Sequence, residues 1–125
     1  MTEKLDLVQT IRNLSAQRGV FRPEAYFFVL ESLENAMESM DERGHISGEG
    51  LLTWIRELAQ ERYGVMAGDV FNAWGVNGTI DFGRIVFHLV DDGLLKKRQQ
   101  DSLGDFIDKF DFQEAFALKA FQEGG

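Results

Sequence analysis

The chain has 125 residues, a hydrophobic fraction of 44% and 11 phenylalanines, enough apolar material to fill one core without staples or metals. Cysteine is absent, which excludes disulfides, thiolate metal sites and cysteine nucleophiles. The formal net charge is −8 and each third of the chain holds more acid than base, so long-range attraction to phosphate backbones or anionic membranes is disfavoured.

The opening Met1-Thr2-Glu3-Lys4-Leu5-Asp6 alternates charged and apolar residues, unlike the apolar core of a signal peptide. No stretch approaches the ~18 consecutive apolar residues of a membrane span. The expectation is a cytoplasmic protein with no membrane partner, one domain over residues 1–125, its N-terminal helix within 1–20 and its core in 21–116.

Leu7, Ile11 and Leu14, with Val8 alongside, predict a first helix over Glu3–Gln17 that stops at Arg18-Gly19. Pro23 suits the first position of a second helix and Glu24 complements its positive end. Tyr26, Val29, Leu30, Leu33, Met37 and Met40 form its stripe, widened by Phe27 and Phe28, and it is expected to end near Met40. Ser47 is an N-cap for a third helix through Arg62, with Leu51, Leu52, Ile55, Leu58, Ala59 and Tyr63 on one face. A shorter helix from Met66 to Trp74 follows, then a turn at Gly75-Val76-Asn77-Gly78.

Thr79 is expected to cap a fifth helix running to about Asp92, with Phe82, Ile85, Val86, Leu89 and Val90 inward and Asp81, Gly83, Arg84, His88 and Asp91 outward. Two short apolar runs around a polar turn predict a β-hairpin near 94–110, a loop being the alternative. Phe112–Phe121 reads as a last short helix. The expected fold is mainly α, with five to six helices in one domain, and the order helix, short helix, turn, helix, hairpin makes the C-terminal half resemble a winged-helix domain.

That resemblance raises nucleic-acid binding. Its carriers would be Arg84 on the recognition helix and Lys96, Lys97 and Arg98 on the wing, but Asp81 and Asp91 on the same helix face oppose a phosphate backbone. A charge triplet is more commonly a solvated segment, so nucleic acid is the alternative reading here.

Catalytic motifs are not found. His45 and His88 are the only histidines and neither has metal-ligand spacing, so no metal and no cofactor is expected. Asp91-Asp92 and the series Asp101, Asp105, Asp108 and Asp111 lack the loop pattern of a calcium site and read as acidic surface. Gly44, Gly48 and Gly50 are not followed by the Gly-Lys-Ser/Thr of a phosphate loop. An enzyme is therefore not favoured. The aromatic surplus exceeds what one stripe per helix needs, and Trp54, on the outer side of the third helix, with one of Phe27 and Phe28, is a candidate patch for a protein partner.

The runs Glu24-Ala25-Tyr26, His45-Ile46-Ser47-Gly48, Ile55-Arg56-Glu57-Leu58-Ala59, Tyr63-Gly64-Val65-Met66-Ala67, Trp74-Gly75-Val76, Thr79-Ile80-Asp81-Phe82-Gly83-Arg84, Gly93-Leu94-Leu95 and Asp111-Phe112-Gln113-Glu114-Ala115-Phe116 resemble an uncharacterised bacterial domain family of small hypothetical proteins. The resemblance covers residues 20–116 and implies no activity, cofactor or partner. The expected function is that of a small cytosolic protein-interaction domain, adaptor or regulatory, without catalytic activity.

Overall fold

The computed structural model of the protein describes residues 2–39, 46–95 and 112–116, which are mainly helical and contain no strand. Helix α1 spans Thr2–Arg18 and closes at Gly19, whose φ of 68° is left-handed. Its apolar stripe is narrow. Ile11 and Leu14 are buried, whereas Leu7 stays exposed.

Helix α2, Pro23–Glu38, starts on the proline as its sequence predicts and packs against α1 and two later helices, which explains its broad apolar surface. Ala25, Tyr26, Phe28, Val29, Ser32 and Ala36 are buried. The buried Ser32 is accommodated because its hydroxyl donates to Phe28 O at 2.9 Å. Phe28 is therefore a core residue and not a partner-facing one. The helix ends at Glu38, short of the expected Met40, which lies outside the described residues.

Ser47 caps α3 (Gly48–Tyr63), its Oγ accepting the Gly50 N–H at 3.0 Å. The expected face is buried through Leu51, Leu52, Ile55, Leu58 and Ala59. At Gly64 the backbone reaches φ 57° and tightens into a 3₁₀ turn, Gly64–Met66, before α4, Ala67–Ala73.

The connection to α5 (Thr79–Asp91) is tied to the α1–α2 loop. Arg22 N donates to Trp74 O at 3.0 Å, and Gly75 has φ 92°. A Cβ at Gly75 would sit 2.5 Å from Val20 O, so the crossing of these two loops requires glycine for both its conformation and its size. Val76, expected in an open turn, is consequently fully buried.

Two expectations for α5 are corrected. Gly78 occupies the cap position and Thr79 is the first helical residue, buried. Asp81 is buried as well, because its Oδ2 accepts the Asn77 N–H at 2.8 Å and closes the turn ahead of the helix. Gly83 also faces inward. The helix ends with Gly93 N–H on Val90 O at 3.0 Å and Leu94 N–H on Leu89 O at 2.8 Å, a Schellman pair around the left-handed Gly93.

Phe112–Ala115 forms one turn, α6, resting on α4 at Gly68, where a Cβ would lie 3.8 Å from Phe112 Cβ. Phe71 is the hub of the core. Its ring lies 5.6 Å from Phe28, 5.7 Å from Trp74, 5.0 Å from Phe82, 5.3 Å from Phe112 and 5.6 Å from Phe116. Edge-to-face pairs of this kind add about 1 kcal/mol each beyond the area they bury. The hairpin expected near 94–110 lies outside the described residues beyond Leu95, as does the last helix beyond Phe116.

Candidate functional site

Nucleic-acid binding requires cations free to meet phosphate. Arg84 is exposed on α5, but its Nη1 donates to Asp81 Oδ1 at 2.7 Å. Arg18 reaches Asp91 Oδ2 at 2.6 Å and Asp92 Oδ1 at 3.5 Å, and Arg22 lies 3.5 Å from Glu24. Arg62 clamps Glu31 with both guanidinium arms, one at 2.9 Å, while its guanidinium carbon stands 5.9 Å from the Phe28 ring centre. That pairing holds the Glu31 carboxyl below its ordinary range, the hydrogen bond from Arg62 being the main cause. Each of these four arginines already has a carboxylate partner. A phosphate would have to compete with it. Lys96, Lys97, Arg98 and His45 lie outside the described residues.

Asp91 and Asp92 are thus the acceptors of Arg18 and not a bare acid pair. Among the described residues no group of three or more His, Asp or Glu is placed to hold a metal ion.

His88 has a partner that no sequence spacing announces. Tyr26 is wholly buried, and its hydroxyl lies 2.8 Å from His88 Nδ1 across 62 residues of chain. Phe21 packs on both, its ring centre 6.2 Å from that of Tyr26 and 5.9 Å from that of His88. Burial pushes the Tyr26 hydroxyl up to about 12, against the pull of Arg18, so near neutral pH it carries its proton and needs an acceptor. Neutral His88 with its proton on Nε2 supplies one at Nδ1. Burial, reinforced by Arg18, lowers the His88 pKa, while Asp92 and Asp91 pull the other way. The dyad is a structural joint: a phenol with no solvent exposure presents nothing to a substrate.

The aromatic candidates separate by packing. Phe28 is in the core, Phe27 is half-buried against it, and Trp54 is half-buried on α3. A different apolar surface is present. Val65 and Met66, on the 3₁₀ turn, are 48% and 56% exposed. Val65 also lines a groove of about 260 Å³, together with Gly68, Asp69, Asn72, Phe112 and Phe116. Gly64, with φ 57°, ends α3 directly before the two exposed residues, Val65 and Met66. Consecutive Val and Met immediately after a helix-ending glycine were the signal of this surface in the sequence. The groove has an apolar floor from Phe112 and Phe116 and an exposed carboxylate, Asp69, on its wall. That chemistry accommodates an apolar side chain with a cation beside it.

No described helix is long and apolar enough to cross a membrane. No family model, curated protein or solved structure matches the chain.

Proposed function

We propose that the protein is a small cytoplasmic protein-interaction domain, without catalytic activity of its own, that receives a short apolar segment of a partner carrying lysine or arginine next to its apolar anchor. The observation that carries this reading is Val65, 48% exposed and lining the groove with Phe112 and Phe116. Charge selects the partner: the chain has a net charge of −8 and Asp69 lines the groove, so a basic segment is steered toward it and an acidic one repelled. Trp54 and Phe27 extend the proposed contact only as its periphery, since Phe27 leans on the core.

The bacterial family likeness and a winged-helix-like arrangement of α3, α4 and α5 belong to the same proposal. Winged helices serve as protein-docking modules as well as nucleic-acid readers, so the arrangement does not decide between them. Nucleic-acid binding is the weaker reading, because the one cation of α5 that the recognition role needs, Arg84, is already engaged by Asp81.

Selection from a displayed peptide library tests the proposal, with the wild-type protein and Val65→Lys as parallel baits. Wild type is expected to enrich peptides with an apolar anchor adjacent to Lys or Arg, and Val65→Lys to enrich none of them. Enrichment of acidic or uncharged peptides, equal enrichment on both baits, or a self-associating wild type that selects nothing would each contradict it.

A further inference from the structure

Helices α1, α2 and α5 meet at a joint away from the groove. Helix α1 contributes Arg18 to Asp91 and Asp92, and Ser15, whose hydroxyl donates to Phe21 O at 2.6 Å. Helix α2 contributes the buried Tyr26, α5 contributes His88, and Phe21 from the intervening loop covers both rings. Among the described side chains of α1, Ile11 and Leu14 are the apolar ones fully buried. The ion pairs of Arg18 are partly solvent-exposed, the kind of attachment that opens locally.

We propose that this joint is an acid-responsive clasp: protonation of His88 breaks the hydrogen bond that Tyr26 donates and releases α1 from α2 and α5. The chemistry is local. Protonated imidazole is a donor at both nitrogens, so Nδ1 no longer accepts from Tyr26, and the phenol must accept instead while its own proton, in a fully buried position, loses its acceptor. The new imidazolium also stands near Arg18 and competes with it for Asp92 and Asp91, the carboxylates that hold the end of α1. Among the described residues, the charged and titratable groups acting on His88 are Arg18 from α1, the neutral Tyr26 from α2, and Asp91 and Asp92 from the end of α5 and its cap.

The direction of the effect follows from where His88 binds its proton more readily. Docked, its pKa is lowered; with α1 released it returns toward the ordinary histidine value near 6.5. Docking is therefore fully supported above that value and weakens as the pH falls below it. Histidine is the side chain whose ordinary value falls between pH 7.5 and 5.5.

Amide exchange of α1, expressed as protection factors at pH 7.5 and 5.5, tests the clasp on the full chain. Wild type is expected to lose protection in α1 on acidification, by up to about tenfold for each pKa unit separating docked from released His88. His88→Asn sets its Oδ1 where Nδ1 stood, keeps an acceptor for Tyr26 and does not titrate, so its α1 protection is expected to be the same at both pH values. His45→Gln is expected to behave as wild type. Equal losses in wild type and His88→Asn would overturn the clasp. The imidazole C2–H resonance of wild-type His88 provides a reading that needs no variant: a midpoint at or above 6.5 overturns the proposal, and one below it supports it.

Discussion

Single residues decide where this chain turns, and glycine shows how closely. Gly93 and Gly75 both have positive φ, yet a Cβ at Gly93 meets nothing within 4 Å, whereas one at Gly75 meets the Val20 carbonyl. Gly93→Ala is expected to cost about 1 kcal/mol from conformation alone. Gly75→Ala is expected to cost about 3 kcal/mol, because two backbone segments must also move apart. Urea unfolding of the two variants separates these values, and equal costs would show that the loops do not cross this tightly. Ser47→Ala is expected to lose about 1 kcal/mol with the cap on Gly50 N–H. Ser47 and Pro23 were legible in the sequence because capping and helix initiation depend on neighbours within one turn. Thr79 and Asp81 were not. A threonine ahead of an apolar run looks like a cap, but Gly78 takes the extended cap conformation and Asp81 closes the turn from inside. The bond between Tyr26 and His88 was beyond any local pattern, since the two residues meet only through the packing of α2 on α5.

At the scale of elements, the apolar periodicity located the helices because burying one face is what stabilises each of them. Helix α3 shows this best, with Leu51, Leu52, Ile55, Leu58 and Ala59 all buried on the expected side. The same periodicity could not tell Phe27 from Phe28, because α2 is packed by several neighbours and adjacent positions both find apolar surroundings. Phe71→Ala is expected to destabilise the protein by about 3–5 kcal/mol, since it removes the ring on which Phe28, Trp74, Phe82, Phe112 and Phe116 converge. Val65→Lys, at a half-exposed position on the 3₁₀ turn, is expected to change stability by less than about 0.5 kcal/mol. Thermal unfolding checks the contrast, and a large loss in Val65→Lys would mean that this side chain belongs to the core rather than to a binding surface. The groove itself was half legible: Gly64-Val65-Met66 marks a break followed by exposed apolar residues, but its floor comes from Phe112 and Phe116, about 50 residues further along the chain.

At the scale of the whole molecule, acidity and the pairing of arginines act together. The net charge of −8 was evident from composition, but only the fold shows that Arg18, Arg22, Arg62 and Arg84 are each matched to carboxylates. The Glu31–Arg62 pair lowers the Glu31 pKa, so its contribution to stability is present above about pH 4.5 and is lost as the pH falls below it. Both partners are partly solvent-exposed, which limits that contribution to less than about 1 kcal/mol, and 1 M salt is expected to reduce it further. Urea unfolding of Glu31→Gln against wild type at pH 7 and pH 3 checks the sign: the difference should shrink at the lower pH. The most direct measurement of the central claim is the dissociation constant of a selected apolar–basic peptide for wild type and for Val65→Lys. The groove reading predicts binding at least tenfold weaker to Val65→Lys, weakening in wild type as salt is raised; equal affinity for the two proteins would contradict it.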